Sequence, residues 1–221
     1  IMSIDSLSTP LHQAVKILRE GPDGLYYALL YQGGIACFDK GNEKFLPVRF
    51  DKTLKLKDVL DFYWNGGNLY LTTSQGLFES RAVRKTEGEN DFVLCVLNPE
   101  PLVRGKVAHL CSDGKTNLYF SVNQGKVMHY DLVTKTTSLI KEYSVVNRLF
   151  LRHGYLWICR LWDDIICYDL KTNEERVISM EGKGQSEFSN SYVTDLTSKD
   201  NRTFYLTTWN GLYKLRFDNE N

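Results

Sequence analysis

Tyr70-Leu71-Thr72-Thr73-Ser74-Gln75-Gly76-Leu77-Phe78 and Tyr205-Leu206-Thr207-Thr208-Trp209-Asn210-Gly211-Leu212-Tyr213 spell one phrase twice, Y-L-T-T-x-x-G-L-[FY]. Each copy reads as a strand of alternating residues, a tight turn closed by glycine, and a second strand. Outward from these copies, a hydrophobic pair V-x-x-[LF] opens each unit, and it occurs at Val15, Val59, Val107, Val146 and Val193. The intervals are 44, 48, 39 and 47 residues. Their mean, about 45, is the period of a four-stranded propeller blade.

The first unit shows the pattern in full. Val15 to Leu18 is a strand, Gly21-Pro22-Asp23-Gly24 a turn, Leu25 to Tyr31 the second strand, and Ile35 to Asp39 the third. Lys44 to Phe50 is the fourth. Aromatic-Asp pairs end third strands at Phe38-Asp39, Tyr130-Asp131 and Tyr168-Asp169. There the carboxylate suits a turn, because it accepts from the following backbone N–H groups. A weak helical pattern is confined to Leu11 to Leu18. The chain therefore reads as all-β, a β-propeller of five four-stranded blades, since one blade cannot bury both its faces alone. The blades fall at about 11–50, 57–100, 103–143, 144–182 and 190–221. The last unit has strands at Tyr192 to Leu196, Thr203 to Thr208 and Gly211 to Phe217 but no fourth. Ile1 to Ile4 is apolar enough to supply it. Two arrangements remain open, a closed five-blade ring completed in this way or five blades of a larger seven-blade ring.

Composition narrows the function. Apolar residues make up 43% and aromatics 13%, so a packed core is expected. Lys+Arg and Asp+Glu both number 27 and are interspersed. A nucleic-acid partner would call for a basic excess or stripe, so none is expected. No apolar run approaches a membrane span, no signal peptide is visible, and the start at Ile1-Met2 reads as an excised or processed segment. Cys37, Cys95, Cys111, Cys159 and Cys167 form no C-x-x-C pair, and their spacing suits neither zinc nor a redox motif. They read as small buried hydrophobes, with Cys159 and Cys167 able to face each other across a hairpin. His12, His109, His129 and His153 have no metal spacing. Neither metal nor cofactor is expected.

The phrase L-[YW]-[LI]-x-T-x-x-G-L-[YF] resembles the two-component regulator propeller repeat, which builds the extracytoplasmic sensor region of hybrid two-component systems in gut Bacteroidetes. Asn68-Leu69-Tyr70-Leu71-Thr72-Thr73 with Gly76-Leu77-Phe78, and Phe204 to Thr208 with Gly211-Leu212-Tyr213, carry the likeness. Weaker copies are Leu118-Tyr119-Phe120-Ser121 with Gly125, Leu156-Trp157-Ile158-Cys159, and Leu25-Tyr26-Tyr27-Ala28 with Gly33. The fourth unit departs by placing Asp163-Asp164 at the hairpin glycine, and the third by placing Lys126 where a hydrophobe is usual. The resemblance implies a non-enzymatic sensing segment of a histidine kinase, periplasmic, responding to oligosaccharides. It implies as partners the glycan, the rest of the sensor chain, and a second copy in a homodimer.

Propeller ligands collect where the loops of successive blades converge. Aligned on the opening valines, Tyr31, Trp162 and Trp209 share one place beside the hairpin turn, with Ser74 and Asn123 there in the second and third units. Flat aromatics stack on sugar rings, and neighbouring amides and carboxylates bond the hydroxyls. The candidate binding set is therefore Tyr31, Gln32, Gln75, Gln124, Arg160, Trp162, Asp163, Trp209 and Asn210, and the same aromatics could instead pack between blades. Arg160, with Arg148 and Arg152, could hold an acidic sugar. Two other classes compete. A propeller glycoside hydrolase or lyase would need paired carboxylates, with Asp58, Asp61, Asp163, Asp164 and Asp195 as candidates. A cytoplasmic interaction scaffold would suit unpaired cysteines, but the Trp-Asp and paired-glycine signatures of such repeats are not developed. No catalytic residues are assigned.

Overall fold

The computed structural model describes residues 14–31, 33–39, 44–51, 58–85, 93–161, 163–178 and 192–217. Among these there is no α-helix, and Val15–Glu20, at the weak helical pattern, is a strand. Val15 and Ile17 are β-branched, and the opening strand must pair along its length with the next one. The chain divides into two compact units, Ile1–Ala108 and His109–Asn221.

In the first unit, β1 (Val15–Glu20), β2 (Tyr26–Leu30), β3 (Ile35–Asp39) and β4 (Lys44–Phe50) follow one another antiparallel. β5 (Val59–Asn65), β6 (Asn68–Thr73), β7 (Gly76–Lys85) and β8 (Val93–Leu97) repeat the pattern. The two sets join where β4 and β8 run parallel, with Val48 opposite Val93 and Phe50 opposite Cys95. A short β9 (Val103–Arg104) pairs antiparallel with β7 at Gly76 and Leu77. Those two residues, placed by repeat spacing at the start of the third blade, thus cover the second. One apolar cluster, including Tyr27, Leu29, Ile35, Phe62, Leu71 and Phe78, packs the first set against the second.

β10 (Val107–Ser112), which begins two residues before the second unit, forms one sheet with β11 (Asn117–Val122), β12 (Lys126–Asp131) and β13 (Thr136–Glu142). β14 (Val146–Arg152), β15 (Tyr155–Arg160), β16 (Ile165–Asp169) and β17 (Glu175–Ile178) form the next. β18 (Val193–Ser198), β19 (Thr203–Thr208) and β20 (Gly211–Arg216) form a sheet of three. Ile1 to Ile4, the expected fourth strand, lies outside the described residues. Val146, Leu149 and Ile158 pack back onto Cys111, Tyr119 and Val127. On the other face Trp157, Cys159 and Ile165 pack onto Leu196, Phe204 and Leu206. From the second set on, each opening valine and the [LF] three residues later are buried, which explains the repeated phrase; in the first set Val15 and Leu18 are both exposed.

The first strand of a set carries a bulge just after its valine, at Val15/Ile17, Val59/Asp61, Val146/Arg148 and Val193/Asp195. The bulge frees one residue from the ladder. In two sets its side chain reaches the next sheet. Lys16 Nζ donates to the Leu60 carbonyl at 3.4 Å, and the buried Asn147 Nδ2 to the Val193 carbonyl at 3.0 Å. Arg19 adds an ion pair to Asp61 at 2.6 Å, with its guanidinium over the rings of Phe62 and Tyr63.

None of the five cysteines is in a disulfide, and all are buried. Cys159 and Cys167 are not cross-strand partners: Cys159 is opposite Ile165 and Cys167 opposite Trp157. Burial pushes the Cys95 and Cys167 thiols up to about 12, and Cys159 upward too, so they behave as packed apolar groups.

Candidate functional site

The place one residue beyond the second strand is defined by a backbone bond that recurs in the sets. Tyr31 N–H donates to the Ala14 carbonyl at 2.9 Å, and Ser74 N–H to that of Asp58 at 3.2 Å. In the second unit Leu161 N–H donates to Val145 at 2.7 Å, and Trp209 N–H to Tyr192 at 3.2 Å. Leu161, not Trp162, is therefore the equivalent of Tyr31 and Trp209. The cause is a shorter first hairpin: β14 and β15 turn through His153-Gly154 alone, with Arg152 opposite Tyr155, which removes one residue from the count. Trp162 itself lies outside the described residues, as does Gln32. Lys126 has a similar explanation. Val122 pairs with Lys126 across three turn residues, so Val127, fully buried, takes the hydrophobe's place.

The remaining candidates divide by unit. In the first, Tyr31 is 67% exposed, and the exposed Gln75 gives its N–H to Thr73 Oγ1 at 3.0 Å. In the second, the exposed Gln124 has a left-handed backbone (φ 72°), and its carbonyl accepts from Val146 N–H at 2.6 Å. Gln124 thereby ties one sheet to the next. Arg160 pairs with Asp163 at 2.6 Å and donates Nε–H to the Asp164 carbonyl at 3.0 Å. Asp163 also accepts from Ser144 Oγ at 3.2 Å and from its neighbour's N–H. This arginine is already neutralised by its own hairpin, and the fork that would grip an acidic sugar is largely committed.

Trp209 is 69% exposed, and its ring stacks on Tyr192 with centroids 4.6 Å apart and planes 18° from parallel. Sequence reasoning missed Tyr192 as a site residue. Its signal was the position before the opening valine, which the recurring bond places beside the hairpin. Two residues along the same two strands, the Thr194 and Thr207 hydroxyls meet at 2.8 Å. Asn210, exposed at the turn, gives its N–H to Thr208 Oγ1 at 3.1 Å. The result is a flat aromatic platform at the mouth of a hairpin, flanked by hydroxyl and amide groups.

Three of the carboxylates considered for hydrolysis, Asp61, Asp163 and Asp195, are engaged individually. Asp61 is tied to Arg19 and to the Phe62 N–H at 2.7 Å, and Asp195 accepts from the Leu196 N–H at 2.8 Å. Among the described residues no group of three or more His, Cys, Asp or Glu could hold a metal. His129 stacks on Tyr119 and bonds Asn117 at 2.7 Å and Ser138 at 3.3 Å, while His153 bonds Ser198 at 2.8 Å.

Repeated antiparallel sheets of one phrase, each stacked through an apolar face on its neighbour within a unit, match solved structures. The fold is a β-propeller. The chain is similar to the extracellular domain of the hybrid two-component system BT4673 of Bacteroides thetaiotaomicron, with a TM-score of 0.70 and 15% identity over 91% of its own length. It is similar to the corresponding domain of BT3049 from that organism at 0.58 and 12% over 93%. A chain of the mitotic checkpoint complex matches at 0.62 and 16% over 91%. The chain spans 28%, 34% and 62% of these three proteins. No family model and no curated protein matches the sequence. At such identities the likeness establishes the fold, and the fold alone is shared by a sensor and a checkpoint protein.

Proposed function

We propose that this chain is the ligand-sensing propeller of a hybrid two-component sensor, lying on the extracytoplasmic side of the membrane and recognising an oligosaccharide. The observation that carries this reading is the exposed Trp209 stacked on Tyr192 at a hairpin mouth. An aromatic pair of this size left in water is costly unless something covers it, and a pyranose ring offers an apolar face of similar dimensions. Asn210, exposed at the turn beside it, is available for the sugar's own hydroxyls. Because Arg160 is paired with Asp163, a neutral glycan is favoured over a sulfated or uronic one. Such a segment binds without turning over its ligand. It transmits by favouring whichever arrangement of the rest of its chain, or of a partnered copy, binds the glycan better.

Titration calorimetry against a panel of neutral and acidic oligosaccharides tests this. The expected result is heat with at least one neutral member, lost in Trp209→Ala and weakened in Tyr192→Ala while both variants keep the parent's circular dichroism. No heat and no thermal shift across the panel would remove the glycan from the reading. Turnover of any member by clean protein would replace sensing with hydrolysis.

A further inference from the structure

Each sheet has a backward face, which carries the [LF] of its opening phrase, and a forward face. In the first sheet the forward face packs on the second, and in the fourth on the fifth. At one forward position stand Ile35, Leu77 and Ile165, exposed by 2%, 0% and 1%. Leu212 occupies that position in the fifth sheet, opposite Thr207 as Leu77 is opposite Thr72, and it is 68% exposed. The bulge residue repeats the contrast. Lys16 and Asn147 reach forward to a carbonyl of the next sheet's first strand. Thr194, at the same place in the fifth sheet, is exposed and turns its hydroxyl back onto Thr207.

We propose that the forward face of β18–β20 is the seat of a further propeller sheet of the same repeat kind. The occupant lays the hydrophobe of its own V-x-x-[LF] phrase on Leu212 and Thr207, as Leu196 lies on the fourth sheet, and presents a first-strand carbonyl to Thr194. The seat continues a stacking series within the second unit, where the fourth sheet buries its backward face on the third and the fifth on the fourth. At the equivalent forward position of the first and fourth sheets that stacking buries the apolar side chain, and at Leu212 it is left in water.

Thiol labelling tests the proposal, because the five native cysteines are buried. Leu212→Cys and Thr207→Cys would be treated with a maleimide in two settings: the 221 residues alone, and the complete chain as its cell makes it. Val133→Cys, in a turn of the third sheet and 72% exposed, is the control. The expected result is free labelling at 212 and 207 in the 221-residue protein and slowing on the order of a hundredfold in the complete chain, with Val133→Cys labelled in both. Equal labelling in both settings overturns the proposal, as it would if the complete chain proved no longer than these residues. Protection already present in the 221-residue protein also overturns it. If that protection faded on dilution the occupant would be a second copy, and if it persisted the face would be covered from within.

Discussion

The hairpins Tyr70–Phe78 and Tyr205–Tyr213 share a sequence and a turn but not an environment. In both, a threonine hydroxyl organises the bend: Thr73 Oγ1 accepts from Gln75 and Gly76 N–H and donates to the Gly76 carbonyl, all at 3.0 Å. Thr208 Oγ1 accepts from Asn210 N–H at 3.1 Å and donates to the Gly211 carbonyl at 3.3 Å. Around the first hairpin the structure is closed. Leu77 is fully buried, and β9 lies so close to Gly76 that an added Cβ would strike the Val103 carbonyl. Around the second it is open, with Leu212 exposed and nothing within 4 Å of a Cβ built on Gly211. The difference shows that the phrase encodes the turn and the strand pairing, while neighbouring chain decides whether its apolar residues become core.

Substitutions made in pairs can break or sharpen that contrast. Leu77→Ala should cost about 3 kcal/mol through lost transfer energy and a cavity, whereas Leu212→Ala should cost less than about 0.5 kcal/mol. Urea unfolding of the 221-residue protein measures both, and equal losses would mean that Leu212 is covered in solution. Gly76→Ala should cost roughly 2–3 kcal/mol, because it adds a clash with backbone to a strained φ. Gly211→Ala should show only the backbone part, about 1 kcal/mol; a Gly211 loss matching that at Gly76 would place unseen chain against β20. Thr73→Ala should cost about 1–2 kcal/mol, since it strands buried N–H groups, and Thr208→Ala about half as much because water replaces the lost partner.

The smallest effect is one of pH. The first hairpin of the fifth sheet is closed by Asp200, whose carboxylate accepts from Arg202 and Thr203 N–H at 2.9 and 2.6 Å. Those two backbone bonds hold its carboxyl below the usual range. A lowered folded-state pKa means that the turn is supported above the ordinary Asp value, about 3.9, and loses that support as pH falls through the lower folded value. The second sheet's counterpart turns on Gly66-Gly67 and has no such carboxylate. Amide exchange at Arg202 and Thr203 should therefore quicken in acid beyond the intrinsic trend while that at Asn68 does not. Parallel behaviour at the two turns would contradict the assigned role of Asp200.

Much of the fold was readable because its causes are local. Aromatic and β-branched residues at Tyr26–Leu30 and Thr203–Thr208, glycines at turns and the valine of each phrase all answer to pleat geometry and turn sterics. The candidate site was less legible. Aligning Trp162 with Tyr31 and Trp209 failed by one residue because a two-residue turn at His153-Gly154 leaves no mark when units are counted from their valines. Arg160 looked available since nothing in its sequence announces that Asp163, three residues on, would fold back onto it. Tyr192 went unremarked because its meaning lies in a partner seventeen residues away.

From composition and periodicity alone followed an all-β chain of repeated sheets and buried thiols, since each rests on residue chemistry or on the spacing of one short phrase. Tertiary structure alone decided which copy of the phrase is buried, that β4 and β8 join the first two sheets, and that Trp209 is stacked on Tyr192 and open to water. Those outcomes depend on surfaces brought together over tens of residues. A short sequence pattern specifies the face a strand will offer, and the rest of the chain specifies what it meets.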